Sequence, residues 1–291
     1  MRDQAEKLRM KMLESQGSLG RSIAVVSGKG GVGKSNFSTN FAINLSLQGK
    51  KVVVLDMDIG MGNVHILIGK NTHYSFKDYL MGEATLHEVM YEGPNNLQYI
   101  PGGSGLSSVM EWTKEMFDSL IVAFEELQKS FDYILFDMGA GAANWSLDLL
   151  TSIDEIIVIS TAEPTAITDA YSMMKYIHLK DQTKKFYLLC NRAYSKEEGQ
   201  ETLYRLKSTM KKFLYKDVII LGSLPEDPVV RQAVRDQVPF SIAYPDAPIA
   251  KTLKAIVHQF IHNSEINEIH APVQSNSFLS KLRSIFSKGR D

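Results

Sequence analysis

The sequence predicts an α/β fold built on a doubly wound, mostly parallel β-sheet of about seven or eight strands. Short apolar runs rich in Val and Ile recur along the chain, as expected of strands that are covered on both faces. Longer segments with helical periodicity separate these runs. This alternation is typical of parallel sheets, whose ligands bind beyond the carboxyl ends of the strands.

The predicted strands each end near a Gly, Pro, Asp or Asn. They are Ser22–Ser27, Lys51–Asp56, Leu97–Pro101, Asp132–Asp137, Glu155–Ser160, Lys185–Cys190 and Asp217–Gly222. The 291 residues, 44% of them hydrophobic, suit a single large domain, which we place at residues 21–261. We expect the polar stretch 262–276, which contains Pro272, to be a linker between this domain and a separate element at residues 277–291.

Composition narrows the function classes. A formal net charge of −1 gives no global field for holding a polyanion, so we expect no nucleic acid partner. The single cysteine, Cys190, excludes an internal disulfide and a Cys-rich metal site. The sequence shows neither a secretory signal nor a run of about 18 apolar residues, so we expect a cytoplasmic protein.

The clearest motif follows the first predicted strand. Residues 28–35 read G-K-G-G-V-G-K-S, which satisfies the P-loop pattern between a strand and a helix. Backbone N–H groups of such a loop surround phosphate oxygens, Lys34 neutralises the β and γ phosphates, and Ser35 binds Mg²⁺. The motif therefore predicts ATP or ADP and Mg²⁺ as ligands. The predicted nucleotide-binding residues are Gly28, Lys29, Gly30, Gly31, Val32, Gly33, Lys34, Ser35 and Asn36.

The second lysine of this loop carries further information. With Lys29 the loop resembles the deviant Walker A motif of the MinD/ParA family of P-loop NTPases, also grouped as SIMIBI. The resemblance implies an ATP-bound homodimer in which Lys29 reaches the partner's nucleotide, as an arginine finger does elsewhere. The alternative is a solvated loop lysine.

Two more strand ends match that family. Residues 56–63 look like its switch I, which implies that Asp58 orients the attacking water. Residues 137–141 look like its Walker B and switch II, which implies that Asp137 reaches Mg²⁺ through water. The resemblance thus gives Lys29, Lys34, Asp58 and Asp137 as catalytic residues, and Ser35, Asp58 and Asp137 as the metal site.

The base-binding residues follow the sixth and seventh predicted strands. Asn191 and Arg192, and then Pro225 and Asp227, resemble the adenine-binding pair of the family. An Asn amide can both donate to and accept from the adenine edge, and an Arg can lie over the ring. A strand-end turn and a proline-stiffened loop are the alternatives.

The C-terminal stretch has the pattern of an amphipathic helix. Five apolar side chains share one helical face, and basic residues flank it, as in helices that lie on anionic membranes. The predicted membrane residues are Phe278, Leu279, Lys281, Leu282, Arg283, Ile285 and Phe286. The alternative is a helix that packs on the body of the protein.

The N-terminal residues 1–20 have helix-forming composition. Residues 3–9 resemble the D-Q-A-x-x-L-R motif of the flagellar branch of the MinD family, the FlhG proteins, also called YlxH or FleN. The resemblance implies that this segment stimulates the GTPase FlhF. The residues carried over are Asp3, Gln4, Ala5, Leu8 and Arg9.

The resemblance spans essentially the whole chain and predicts an ATPase that sets flagellar number or placement. It also implies contact with flagellar C-ring components, and binding to the inner face of the membrane in the ATP-bound dimer. Gly139 stands where division-site MinD proteins carry Pro, which puts their partners in doubt. The rival functions are a ParA-type DNA-partitioning ATPase, a MinD-type division-site ATPase and a metabolic P-loop enzyme.

Overall fold

A computed structural model describes residues 19–59, 62–103, 113–139 and 144–270, together with Phe278, Lys281 and Leu282. For residues 144–145 and 264–270 it describes the backbone alone. The N-terminal residues proposed to contact a GTPase, and four of the seven proposed membrane residues, Leu279, Arg283, Ile285 and Phe286, lie outside the described residues.

The predicted α/β fold is confirmed. Within the described residues, eight strands form one sheet in the order β3-β4-β2-β5-β1-β6-β7-β8, and only the β3–β4 pair is antiparallel. The strands are β1 (Arg21–Val26), β2 (Val52–Asp56), β3 (Tyr91–Glu92), β4 (Gln98–Ile100), β5 (Tyr133–Asp137), β6 (Glu155–Ser160), β7 (Lys185–Ala193) and β8 (Ile219–Pro225). The sequence did not predict β3, because two residues are too few to show an alternating pattern.

Helices cover both faces of the sheet. They are α1 (Lys34–Leu47), α2 (Val64–Ile68), α3 (Phe76–Leu80), α4 (Lys114–Ser130), α5 (Asn144–Ser152), α6 (Pro164–Lys180), α7 (Lys196–Leu214), α8 (Pro228–Asp236), α9 (Phe240–Ala243) and α10 (Pro248–His270). Strands β2, β5 and β6 are buried at every position, which explains their continuous apolar sequences. None of the helices in the described part of the chain is both long and apolar enough to cross a lipid bilayer.

The last long helix extends into the segment predicted to be a linker. Helix α10 continues to His270, so residues 262–270 of that segment are helical. No Pro or Gly interrupts the chain between Pro248 and Pro272, and the residue before a proline is the first with a strong bias against helix. The helix therefore extends nine residues beyond Ile261, where the sequence pattern placed its end.

Two of the proposed membrane residues are buried. Phe278 is 1% exposed and Leu282 is fully buried. The Phe278 ring lies 5.3 Å from that of Phe124 on α4 and 5.9 Å from that of Phe136 on β5, measured between centroids. In addition, Lys281 Nζ lies 3.5 Å from Asp181 Oδ2. For these residues the structure thus shows the alternative arrangement, in which the segment packs on the body.

Candidate nucleotide site

The loop between β1 and α1 has the backbone that phosphate binding requires. Gly33 precedes α1 with φ +90°, a left-handed conformation, and an added Cβ would lie 2.4 Å from Asn191 Nδ2. Asn191 Nδ2 in turn donates a hydrogen bond of 2.8 Å to the Val32 carbonyl oxygen. At the start of the loop, a Cβ on Gly28 would lie 2.1 Å from the backbone carbon of Asp169 on α6. The loop is therefore held on both sides by parts of the chain distant in sequence.

Lys29 turns toward the surface. Its Nζ lies 2.8 Å from Glu163 Oε2 and 3.2 Å from Thr165 Oγ1, at the start of α6. Both members of the ion pair are substantially exposed, 43% for the Lys29 side chain and 57% for Glu163. The hydrogen bond and charge of Lys29 lower the pKa of the Glu163 carboxyl. Among the described residues that line the nucleotide cavity, Lys29 is not found.

Lys34, Ser35 and Asp137 converge at the carboxyl end of β5. Burial raises the pKa of the Asp137 carboxyl, whereas the Lys34 charge and hydrogen bonds from the hydroxyls of Ser35 and Ser38 oppose that rise. The Ser38 hydroxyl lies 2.9 Å from Asp137 Oδ1. A buried carboxylate beside a hydroxyl and an ammonium is suited to hold Mg²⁺ next to phosphate.

A second buried carboxylate stands beside Asp137. Asp56 is the register partner of Asp137 on β2. Its two oxygens accept hydrogen bonds from the backbone N–H groups of Asp58, at 3.2 Å, and Val64, at 3.0 Å. Burial, and then the charge of Asp137, raise the pKa of Asp56 to about 7. Asp56 therefore holds the backbone at the catalytic candidate Asp58 and at the start of α2.

Asp58, in the predicted switch I, lies close to Gly139 in the predicted switch II. A Cβ on Gly139 would lie 3.2 Å from Asp58 Oδ1, so the two segments approach each other closely. Asp58 also lines the nucleotide cavity together with Lys34 and Ser35. The carboxylate is thus in reach of the phosphate end of that cavity.

The cavity measures about 560 Å³ and has two chemically different ends. Gly30, Gly31, Gly33, Lys34 and Ser35 line the end beside the loop. The other end is largely apolar. Its walls include Phe37, Leu67, Leu224, Pro225, Val230, Val234, Phe240 and Ile249. A polar loop joined to an apolar recess matches a ligand with phosphates on one side and a planar base on the other.

The predicted base-pocket residues all line this cavity, but several have additional contacts. Asp227 accepts hydrogen bonds from the N–H of Val229 at 3.1 Å and of Ile249 at 3.4 Å, so it caps α8 and anchors α10. Arg192 has a left-handed backbone, φ 58°, and its Nε donates to Glu226 Oε2 at 2.9 Å. These contacts hold the apolar end of the cavity in shape.

Sequence reasoning missed four residues of this site: Ser38, Asp56, Glu163 and Thr165. Asp56 was placed at a strand end and at the start of the predicted switch I but was given no role of its own, although a carboxylate two positions before Asp58 was a usable signal. Glu163 and Thr165 contact Lys29 but lie about 135 positions from it in the sequence, so no local sequence pattern predicts the contact.

The residues at the phosphate end fit a bound Mg²⁺. Two buried carboxylates with raised pKa lie side by side, and cations are the natural partners that would keep them ionised. No group of three or more His, Cys, Asp or Glu side chains that could hold a metal ion occurs among the described residues. Mg²⁺ needs no such group, because it usually keeps several waters and binds phosphate oxygens.

Comparison with known proteins agrees with this site. The family model for ParA, described as NUBPL iron-transfer P-loop NTPase, matches residues 18–261. The chain is 32% identical over 237 residues to the antiactivator FleN of Pseudomonas aeruginosa, covering 81% of this chain and 85% of FleN. It is also 32% identical over 264 residues to the flagellum site-determining protein YlxH of Helicobacter pylori, covering 89% of this chain and 88% of YlxH.

Solved structures show the same fold. The cell division ATPase MinD of Pyrococcus furiosus superposes with a TM-score of 0.69 at 24% identity, covering 84% of this chain and all of that one. The septum site-determining protein MinD of Pyrococcus horikoshii, complexed with Mg-ADP, gives the same TM-score and identity and covers 85% of this chain and 98% of that one.

Proposed function

Because the chain belongs to the ParA/MinD family of P-loop NTPases and is an ATPase, we propose that it is an ATP-dependent dimerising switch that controls flagellar number and placement. The flagellar assignment is supported by the similarity to the flagellum site-determining protein YlxH, together with the similarity to the antiactivator FleN. The observation that carries the switch is the position of Lys29. A lysine of the phosphate loop that pairs with Glu163 at the surface, rather than lining its own cavity, is available to a nucleotide in a second subunit.

The proposed chemistry assigns each group of the phosphate end a role. Lys34 and the loop N–H groups bind the phosphates, and Asp58 orients the attacking water. Ser35 would hold Mg²⁺ directly and Asp137 through water. When bound, Mg²⁺ neutralises charge that develops on the phosphate oxygens. Asn191, Arg192, Pro225 and Asp227 shape the end that receives the base.

Dimerisation requires Lys29 to exchange partners. In the subunit described here its ammonium pairs with Glu163, and across a dimer it would pair with phosphate instead. Water screens the exposed ion pair with Glu163, so a triphosphate is a strong competitor for the ammonium. Lys29→Ala should therefore prevent dimerisation with a non-hydrolysable ATP analogue, as measured by sedimentation velocity. Lys180→Ala is the matched control, since Lys180 has the same 43% exposure and also pairs with one carboxylate.

Complementation tests whether Lys29 acts between subunits. Lys29→Ala should lower turnover about 10³-fold or more, as loss of an arginine finger does. Asp58→Ala should also be inactive. A mixture of the two should regain activity, because the Lys29→Ala subunit keeps its own Asp58 and receives Lys29 from its neighbour. A mixture that sediments as a dimer yet stays inactive would contradict the proposal.

Membrane binding is the second part of the proposal. Phe278 and Leu282 cannot contact lipid and the body of the protein at once, and each gains roughly 1.5–3 kcal/mol from full burial. Release of one segment therefore yields weak binding, and two segments on one dimer bind with the advantage of effective concentration. We propose that the ADP-bound or nucleotide-free form is a cytoplasmic monomer and that the ATP dimer binds the cytoplasmic face of the membrane.

Co-sedimentation tests this part. With an ATP analogue, the wild type should pellet with vesicles containing an anionic lipid, and a chain lacking residues 277–291 should remain in solution. Pelleting with DNA in place of vesicles would favour the DNA-partitioning alternative. Equal pelleting of full-length and truncated chains would remove the C-terminal segment from the mechanism.

Partner contacts complete the proposal. By family resemblance, residues 3–9 stimulate an FlhF-like GTPase, and the protein contacts flagellar C-ring components at a surface to which we assign no residues. Gln4→Ala in a peptide of residues 1–20 should reduce stimulated GTP hydrolysis, whereas Glu6→Ala, at a variable position of the motif, should not. Equal stimulation by wild-type and Gln4→Ala peptides would withdraw the assignment.

A further inference from the structure

Three asparagines line one side of α1, the helix that begins at the phosphate loop. Asn36, Asn40 and Asn44 are spaced four residues apart, so they stack on one face. Asn40 is 1% exposed and Asn44 is 4% exposed. A buried amide inside a helix is costly unless it is hydrogen-bonded, so the contacts of these side chains decide what they do.

The two buried amides form hydrogen bonds with one residue of another helix. Asn40 Oδ1 accepts a hydrogen bond of 2.9 Å from the backbone N–H of Ser241 on α9. Asn44 Nδ2 donates to Ser241 Oγ, also at 2.9 Å. Ser241 is thus held by its main chain and its side chain at once.

The same amides are tied back to the helix that carries them. Asn40 Nδ2 donates to the Asn36 carbonyl oxygen at 2.8 Å and lies 3.3 Å from Asn36 Oδ1. Asn44 Nδ2 donates to the Asn40 carbonyl oxygen at 2.8 Å. These bonds leave the Asn40 side chain one orientation, with its oxygen toward Ser241 and its nitrogen toward Asn36.

Both ends of this chain of contacts reach the nucleotide cavity. Asn36 lines it beside the phosphate loop, and Phe240, next to Ser241, lines its apolar end. Helix α9 has only four residues, too few to be stable alone, so its place depends on what holds it. The amides therefore fix Phe240 relative to the loop that binds phosphate.

We infer that Asn40 is a positioning residue for nucleotide selection: it holds the wall of the base recess at a set distance from the phosphate loop. The inference rests on the proposed placement of the base at the apolar end. Asn40 contributes affinity for a ligand that spans both ends of the cavity, an adenine nucleotide, and none for a ligand that fills the phosphate end alone. Ser241 is the second member of the contact.

Calorimetric titration with Mg²⁺ and either ATP or inorganic tripolyphosphate tests this. Asn40→Ala should weaken ATP binding by about tenfold, the upper range for loss of one buried hydrogen bond, and change tripolyphosphate binding by less than about twofold. Ser241→Ala removes the hydroxyl that accepts from Asn44 and leaves the bond from the Ser241 N–H to Asn40. It should weaken ATP binding by about threefold, and it tests the same attachment of α9 to α1 if Asn40→Ala does not fold. Thr39→Val is the matched control, because Thr39 is buried on the same helix and its Oγ1 has no hydrogen-bond partner among the described residues.

Two results would overturn the inference. One is an equal loss of affinity for both ligands, which would mean that Asn40 merely supports the phosphate loop. The other is unchanged affinity for both in Asn40→Ala and Ser241→Ala. If the wild type binds ATP no more tightly than tripolyphosphate, the proposed base recess itself fails, a result distinct from either.

Discussion

Buried charges are arranged differently at the two ends of the β-sheet. At the carboxyl end, Asp56 and Asp137 lie side by side with the same sign of charge, and burial raises the pKa of both. At the amino end, buried charges lie beside charges of opposite sign. Arg21 pairs with Glu155, whose Oε1 also accepts from Tyr187.

The rest of the amino end follows the same rule. The exposed Asp154 also accepts hydrogen bonds, from both the N–H and the hydroxyl of Ser22. The buried Lys184 donates to the Ile153 carbonyl oxygen and lies 3.6 Å from Asp181. The amino end thus pairs opposite charges of the chain, whereas the carboxyl end places two carboxylates next to each other beside Lys34 and is suited to bind a further cation. Substitutions at the two ends should therefore affect different properties.

The largest expected effect on catalysis is at the carboxyl end. Asp58→Asn should lower ATP turnover by about 10²- to 10⁴-fold, because a neutral amide accepts a proton from the attacking water far less readily than a carboxylate does. The midpoint of urea unfolding should hardly change, since Asp58 is only partly buried. Asp217→Asn, at an exposed carboxylate, is the control. If Asp58→Asn greatly lowered stability but retained turnover, the prediction that the carboxyl end serves catalysis would be wrong.

The amino end should show the opposite pattern. Arg21→Met leaves the Glu155 carboxylate buried without its ion-pair partner and should lower the free energy of unfolding by about 3–5 kcal/mol. The double change Arg21→Met with Glu155→Leu should recover most of this loss, because no buried charge remains. Urea unfolding of the four proteins measures the coupling, and turnover at saturating ATP should stay close to that of the wild type. Additive losses would contradict a coupled pair.

The titration of Asp56 should have a smaller effect, on the free energy of unfolding as a function of pH. The folded protein keeps the Asp56 proton up to about pH 7, whereas the unfolded chain releases it near pH 4. Stability of the nucleotide-free protein should therefore fall as pH rises through this interval, by about 2 kcal/mol between pH 5 and 7, and level off above. Asp56→Asn should remove this fall in stability between pH 5 and 7. Parallel stability curves for the two proteins across this range would contradict the raised pKa.

The smallest effect should come from an exposed pair. Lys180 and Asp148 lie 2.6 Å apart with side chains 43% and 34% exposed. Lys180→Ala should change the free energy of unfolding by less than about 1 kcal/mol, because water screens the pair. A loss comparable to that of Arg21→Met would show that exposure does not separate the two kinds of ion pair.

The sequence predicts what is encoded locally. The loop at residues 28–35 and the carboxylates after β2 and β5 could be located because each directly follows a continuous apolar run. The chain order of these elements then assembles them at one edge by the ordinary rules of parallel sheets.

Contacts between distant segments were beyond such reasoning. The burial of Phe278 against Phe124 depends on a groove between α4 and the sheet, and an amphipathic pattern fits a groove and a membrane equally well. Likewise Asn40 and Ser241 are 201 residues apart, and neither residue type identifies the other. In both cases the pattern of one segment is known but its partner surface is not.

The single cysteine, Cys190, is a natural chemical probe of local opening in this protein. Cys190 is fully buried on β7, directly before Asn191, and burial raises the pKa of its thiol to about 11. A maleimide can therefore react only when the strand end separates transiently from α7, and the labelling rate measures the free energy of that opening. Protection by added nucleotide would report ligand-induced rigidity in the unaltered protein, with no engineered probe.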